Sequence, residues 1–253
     1  MRVFEGTPIT TKRSKRKTVS IQVLKDENNQ VILLIKIPVY VDDEQLKTIL
    51  DAKRSWIRKS KDKLLKIETT KNKLLSDYSL KENGRLPFKG NCLKIEFLTD
   101  RSIPKMMVKG DEERISIIRN PNYSYHRIEL PRLMLDYYRE KAYEEFKGII
   151  DAYSNQFHFK VNKLRIKDTK TRWGSCSAKL NINLNWKLII THHRVYEYVI
   201  VHELCHIGCW NHSQQFWNRV AAILPDYKSR KEELKQISGF LAAFDFSKLE
   251  TGS

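Results

Sequence analysis

The chain reads HELCHIGCWNH at residues 202–212, with two histidines four positions apart and a glutamate directly after the first. In an α-helix, residues i and i+4 lie on one face, so His202 and His206 can reach the same ion. Glu203 is rotated by about 100° around the helix axis and stands beside that ion. There it can take a proton from water and pass it to a leaving group. This stretch therefore predicts a helix that carries a catalytic metal site.

His212, six positions after His206, is the third candidate ligand. Gly208 can end the helix and turn the chain back towards the ion. Three protein ligands leave the fourth position of a tetrahedral zinc open, and this open position distinguishes a catalytic site from a structural one. We therefore expect Zn²⁺ held by His202, His206 and His212, with Glu203 as the catalytic base.

Two other ligand sets stay open. A downstream glutamate, Glu232 or Glu233, could replace His212 as in the gluzincins. A closed structural zinc site could instead use Cys205 or Cys209, although such a site has no role for Glu203. The metzincin pattern is excluded, because it needs a glycine at position 209 and a later methionine turn, and no Met follows residue 134.

The chain has a large positive excess, with 47 Lys and Arg against 30 Asp and Glu and a net charge of +17. Residues 1–90 hold 21 basic and 11 acidic residues, and the densest cluster is KRSKRK at residues 12–17. This pattern favours an anionic partner, most plausibly DNA or another nucleic acid. The alternative is an ordinary solvated, lysine-rich surface.

Length and composition fit a globular protein of 253 residues that is 41% hydrophobic. No stretch approaches the ~20 apolar residues of a membrane span, so we expect no membrane association. The first residues show no signal-peptide core, and the four cysteines do not form a disulfide framework. A cytoplasmic location is expected.

The hydrophobic pattern predicts an α+β protein. Alternating apolar residues predict a hairpin over 17–24 and 31–39, after which Asp42 and Gln45 form a capping-box pattern. Helices are predicted over about 125–157, 195–207, 213–224 and 229–237. We expect an N-terminal basic β-rich module over 1–120, a zincin-like metallopeptidase domain over 121–245, and a tail over 246–253.

Several ordered motifs resemble the YgjP-like metallopeptidase family, predicted zinc-dependent hydrolases related to the SprT/Spartan proteases. They are RWGSCS at 172–177, I-x-L-N at 182–185, YVIVHELCH at 198–206, NHSQQFW at 211–217 and PDY at 225–227. The resemblance implies His202, His206 and His212 as zinc ligands and Glu203 as base. The chain departs from the family at Thr191-His192-His193, where Ala-Pro is usual, and we interpret these two histidines as loop residues.

Residues around the motif could also bind substrate. The polar segment with Arg172, Trp173 and Gly174 precedes the strand before the metal helix, where it could pair with an extended peptide. The alternative is a structural hairpin with a packed Trp. Tyr227 and Arg219 could stabilise an oxyanion, although a packing role fits either residue as well.

The sequence thus predicts zinc-dependent hydrolysis of peptide bonds in a protein or peptide substrate, with possible recruitment to nucleic acid through the basic module. The rival hypothesis is a nucleic-acid-binding protein with a structural zinc and no turnover. Metal geometry separates the two: three histidines with an open position favour the enzyme, and a cysteine ligand favours the rival.

Overall fold

The structure of the chain is a computed structural model that describes residues 2–28, 30–124 and 128–251, with the side chains of residue 63 and residues 66–74 left out. The chain forms two compact units, Met1–Asn72 and Lys73–Ser253. The sequence-based division after residue 120 differs from this one, because the strands between residues 79 and 119 belong to the second unit.

The first unit contains a four-stranded sheet in the order β1-β2-β4-β3. Its strands are β1 (Val3–Phe4), β2 (Thr7–Ser14), β3 (Ser20–Lys25) and β4 (Val31–Pro38). The predicted hairpin is present as the antiparallel pair β3/β4, while β2 runs parallel to β4. Alternate residues of β4, namely Leu33, Ile35 and Ile37, are fully buried, so this central strand supplies the core of the unit.

Helix α1 (Asp43–Ala52) follows the sheet, and α2 (Arg54–Ser76) begins two residues later. The predicted capping box is present: the Asp42 carboxylate accepts from the Gln45 backbone N–H at 2.7 Å, and the Gln45 side chain accepts from the Asp42 N–H at 3.2 Å. Leu46 and Leu50 of α1 are buried against the core that contains β4.

The second unit begins with a sheet in the order β6-β7-β9-β8 and a separate two-stranded pair. The sheet consists of β6 (Arg85–Phe88), β7 (Asn91–Thr99), β8 (Met106–Gly110) and β9 (Arg114–Arg119). In the separate pair, β5 (Ser79–Leu80) runs parallel to β13 (Glu250–Thr251). Residues 246–251, expected to be a tail, are packed: Phe246 is 3% exposed and belongs to the main core.

Helix α3 (Glu129–Phe157) is the longest element of the second unit. Its predicted start at residue 125 lies outside the described residues. The helix ends at His158, whose φ of 57° is left-handed. A three-stranded sheet follows in the order β10-β12-β11, built from β10 (Lys163–Lys167), β11 (Gly174–Cys176) and β12 (Asn181–Asn185). Strand β12 is central, and Ile182 and Leu184 bury its inner face.

Three helices complete the unit: α4 (His193–Cys205), α5 (Gln214–Ile223) and α6 (Tyr227–Ala243). Helix α4 is almost entirely buried, because its apolar run from Tyr198 to Val201 and Leu204 lie in the core. The chain is thus a mixed α+β protein, as predicted. None of the helices in the described ranges is both long and apolar enough to cross a membrane.

Candidate metal centre

The end of α4 brings the three predicted histidines together. His202 lies in the last turn of the helix, and His206 is its C-cap. Gly208 follows with a φ of +89°, which is a left-handed conformation that glycine adopts without strain and that ends the helix. The short turn that follows carries His212, directly before Ser213, whose hydroxyl caps α5.

The three imidazoles converge on one point. One nitrogen from each of His202, His206 and His212 lies within 4.8 Å of the other two. The Nε2 atoms of His202 and His212 are 3.0 Å apart. Nitrogens bound at ~2.0–2.1 Å to one tetrahedral zinc lie about 3.3 Å from each other, and the distance between His202 and His212 is close to this value.

The three histidine rings pack against the ring of Phe216. The centroid of Phe216 lies 4.9 Å from the rings of His202 and His212 and 4.5 Å from the ring of His206. Trp217 stacks on His212 at 5.7 Å. Burial, followed by the neighbouring imidazoles, lowers the pKa of His202 to about 3. This ring is therefore neutral near pH 7, which is the form that binds metal.

The tautomer of His206 follows from its hydrogen bond. Its Nδ1 lies 3.0 Å from the carbonyl oxygen of Cys209, which can only accept, so Nδ1 carries the proton. The Nε2 lone pair is then free to bind a metal. The Nδ1 of His202 is buried and has no hydrogen-bond partner among the described residues.

Glu203 lies next to this cluster and is only 7% exposed. Burial raises the pKa of its carboxyl to about 7, against the lowering effects of the backbone N–H of Cys176 and the charge of Arg172. Gly174 lies against the same side chain: a β-carbon there would be 2.6 Å from the Glu203 Oε1. The carboxylate is therefore held between α4 and β11.

Strand β11 is an edge strand of its sheet, and β12 is its neighbour on one side only. Trp173 O accepts from Asn185 N, and Ser177 N donates to Asn181 O, so these residues hydrogen-bond to β12. By the alternation of antiparallel pairs, the backbone groups of Gly174 and Cys176 point away from β12. One of them, the N–H of Cys176, donates to Glu203.

The remaining predicted residues are distributed around this edge. Arg172 is exposed and acts on Glu203 through its charge. The indole N–H of Trp173 donates to the Ser238 hydroxyl at 3.1 Å, which ties this side chain to α6. Tyr227, the first residue of α6, stacks on Trp217 with centroids 5.4 Å apart.

Arg219 has a structural position. It donates to the carbonyl oxygens of Ile207, at 2.6 Å, and Cys205, at 3.4 Å, and it lies over the Phe159 ring. These carbonyls belong to the end of α4 and the residues after it, where helices leave acceptors unsatisfied. Arg219 therefore stabilises the turn before His212, and the predicted oxyanion role does not fit its contacts.

The alternative ligands have other partners. Glu232 pairs with Lys235 at 3.1 Å and Glu233 with Arg194 at 3.5 Å. The Cys209 Sγ lies 3.8 Å from both Asn211 O and Ser213 Oγ, and burial raises the pKa of the Cys205 thiol to about 11. Within the described part of the chain, the group that could hold a metal contains histidines alone.

His192 and His193, at the start of α4, lie outside this group. His193 lies 3.6 Å from Glu197, one turn further along α4. The ring of His192 packs over Gly90, where a β-carbon would be 2.1 Å from Nδ1. Neither residue belongs to the three-histidine group. The interpretation as a loop residue is wrong for His193, which is the first residue of α4, whereas His192 is the N-cap before the helix.

Tyr198 and Phe216 were not singled out as site residues. Tyr198 packs its ring edge against His202 at 5.9 Å, and burial raises the pKa of its hydroxyl to about 12. Its position four residues before His202 could have placed it on the metal face. The sequence gives less indication of a role for Phe216, because its packing against the three histidine rings depends on the tertiary structure.

Comparisons with known proteins were made at the level of sequence and of structure. No curated protein matches the chain. Among solved structures, the metallopeptidase zymogen abylysin of Pyrococcus abyssi is 19% identical, with a TM-score of 0.34 over 37% of this chain and 95% of that one. The zymogen jannalysin of Methanocaldococcus jannaschii is 24% identical, with a TM-score of 0.33 over 37% and 94%.

A family model described as YgjP-like, metallopeptidase domain, matches residues 17–237. The match includes the three converging histidines, the buried glutamate and the strand beside it, and it confirms the resemblance seen in the ordered sequence motifs. Metallopeptidases are metal-dependent hydrolases whose substrates are proteins or peptides. The chain belongs to the YgjP-like metallopeptidase family.

Proposed function

We propose that the chain is a zinc-dependent peptidase, in which His202, His206 and His212 bind the ion and Glu203 is the general base. The observation that carries this proposal is the convergence of three imidazole nitrogens within 4.8 Å, together with a buried carboxylate on Glu203, the residue that directly follows His202. Three neutral nitrogen donors with an open fourth position are the donor set of hydrolytic zinc sites. Both cysteines lie outside the histidine group, which supports an open site over the rival structural one.

The chemistry divides between the ion and the chain. Zinc, when bound, supplies a Lewis acid that acidifies water and polarises the peptide carbonyl. Glu203 then takes the proton of the attacking water and delivers it to the nitrogen of the leaving amine. The N–H of Cys176 holds the carboxylate in place for both transfers. The buried ring of Phe216 excludes bulk water from the side of the histidine rings that it covers.

The free edge of β11 is proposed as the binding strand for the substrate. An extended peptide can pair with the outward-facing backbone groups of Gly174 and with the carbonyl oxygen of Cys176, as in other complexes that add a strand to a sheet. Arg172 and Tyr227 then flank the peptide on either side of Glu203. The indole N–H of Trp173 is not available to the peptide, because it already donates to the Ser238 hydroxyl.

The first unit is proposed to bring the peptidase to DNA or another nucleic acid. Lys12, Lys15 and Lys17 are exposed at and after the end of β2. Tyr40 and Trp56 are 70% and 47% exposed in the same unit, and aromatic rings beside basic residues are suited to stack on nucleic-acid bases. Phosphate contacts of this kind give binding with little sequence preference and a steep salt dependence.

Proteolysis of a panel of unstructured proteins, with zinc and with or without DNA, tests the proposal. Wild type should cleave substrates in the presence of zinc, and Glu203→Gln, which retains the volume of the side chain, should not. Cleavage that is equal in the two proteins, after contaminating proteases are excluded, would refute Glu203 as base. A wild type that binds zinc and cleaves no member of the panel would favour the structural-zinc hypothesis.

A further inference from the structure

A pocket of about 470 Å³ opens beside the metal centre, between α5 and the first half of α6. Trp217 connects the two: it lines the pocket and also stacks on the ring of His212. Tyr227 also lines the pocket and stacks on Trp217 with an angle of 16° between the rings, so these two side chains form an aromatic wall of the pocket. A group bound in the pocket would therefore lie beside the same Trp217 ring that stacks on His212.

The pocket is strongly basic. Lys228, Lys231 and Lys235 line it, and their spacing of three and then four residues places all three on one face of α6. Glu232 is the acidic residue of the lining, and it pairs with Lys235 at 3.1 Å. Among the described residues, Lys228 and Lys231 have no carboxylate partner. The pocket thus carries a net positive charge that an anionic group can neutralise.

Lys231 is the member of this face that lies nearest the metal centre. Its ammonium group lies over the Trp217 ring, 4.4 Å from the centroid. Its charge also contributes, after burial and the neighbouring imidazoles, to lowering the pKa of both His202 and His212. Lysines on a solvated helix face have no such fixed position, whereas Lys231 is held at the mouth of the pocket by an aromatic ring.

We propose that this pocket, lined by Trp217, Tyr227, Lys228 and Lys231, is a substrate subsite that binds the side chain of a glutamate or aspartate close to the scissile bond. The aliphatic part of the acidic side chain packs against the aromatic wall, and its carboxylate accepts hydrogen bonds from the two lysines. This inference rests on the proposed peptidase function and specifies the substrate: peptides with an acidic residue next to the cleavage site.

The cleavage test uses matched peptides that carry Glu, Gln or Lys at each position flanking one bond. At one of these positions we expect kcat/KM for Glu to exceed that for Gln by about tenfold, the effect of one charge-assisted hydrogen bond. Lys231→Glu should remove or reverse this preference with zinc content unchanged. Lys109→Glu is the control: it reverses a charge on β8, in the four-stranded sheet of the second unit, and should leave the preference for Glu intact.

A binding measurement separates failure of this subsite from failure of the peptidase proposal. Fluorescence anisotropy of labelled peptides on zinc-loaded Glu203→Gln needs no turnover, and the Glu peptide should bind about tenfold more tightly than the Gln peptide. Equal binding of the two peptides, or a preference that survives Lys231→Glu and Lys228→Glu in this background, overturns the subsite. A Lys231-dependent preference without any cleavage by wild type would support the subsite and refute the peptidase.

Discussion

Gly174 stands so close to Glu203 that a β-carbon on it would lie 2.6 Å from the carboxylate Oε1 and 2.7 Å from Cγ. Both nearest atoms belong to the catalytic candidate, and the N–H of Cys176, two residues further along the same strand, also interacts with its carboxylate. Position 174 therefore controls where the carboxylate can stand, although a glycine makes no side-chain contact of its own.

Gly174→Ala is expected to displace the Glu203 carboxylate while leaving the three histidines in place. A displacement of about 1 Å at a reacting group lowers the rate by up to ~10²-fold, so kcat should fall by roughly ten- to a hundredfold. Zinc content by elemental analysis should be unchanged. Gly148→Ala is the matched control, because a β-carbon there meets no atom within 4 Å. Equal kcat values for the two variants would contradict this account of Gly174.

The arrangement of residues within one helix of this site can be predicted from the sequence. Contacts between residues far apart in the chain cannot. The four-residue spacing of His202 and His206 predicts a shared helix face whatever the tertiary structure, and that face is present. Proximity between Gly174 and Glu203 depends on how β11 packs on α4. Neither segment encodes this separately, because local propensity does not specify which distant surface an element buries against.

Glu203→Gln is expected to lower kcat by several orders of magnitude, since general acid–base catalysis alone contributes about 10²–10⁴-fold. The amide fills the same space but cannot accept the proton of the attacking water. Zinc affinity and the melting temperature should stay close to wild type. Activity that survives in this variant at more than a few per cent would remove Glu203 from its proposed role.

His212→Ala should weaken zinc binding sharply, because it removes one of three nitrogen donors whose ring atoms lie within 4.8 Å of one another. Competition with a chelator measures the change. Cys209→Ser is the matched control from the same turn, since its Sγ contacts Asn211 O and Ser213 Oγ and lies outside the histidine group. Reduced affinity in the Cys variant with normal affinity in the His variant would point to a sulfur ligand.

Zinc removal should lower the melting temperature of wild type. A ligand at 100 times its dissociation constant stabilises the folded state by about 2.7 kcal/mol. For a chain of this size the shift is then roughly 5–10 °C. The same chelation should change the melting temperature of His212→Ala much less. A wild-type melting curve that does not respond to zinc or chelator would speak against a bound ion.

The nucleic-acid proposal predicts that Lys12, Lys15 and Lys17, changed together to Ser, weaken DNA binding and reduce its salt dependence. Arg13 is left out of the set, because it donates to Val41 O and lies 3.6 Å from Asp43, and its loss would disturb the loop before α1. Lys47→Ser, an exposed lysine of α1, is the control. DNA binding that is absent at near-physiological salt, or equal in all three proteins, would leave the charge a property of the surface alone.

The basic stretch shows a second limit of the sequence. KRSKRK reads as one uniform patch, yet Arg13 has a structural partner while the lysines around it are exposed. A similar division separates Arg219, which donates to carbonyls at the end of α4, from Lys231, which lines a pocket and has no carboxylate partner among the described residues. Charge can be counted in a sequence, but its availability depends on which acceptors the fold brings within reach.

The parallel pair between β5 and β13 has a consequence for how the second unit is made. Leu80 of β5 and Leu249, directly before β13, lie in the same core as the buried residues of α4. Contacts between residues so far apart in the chain form slowly, because a long loop must close first. On the ribosome, α4 and its histidines emerge well before β13 can pair. We therefore expect the apolar core of the second unit to close only after residues 250–251 have left the ribosome and can pair with β5.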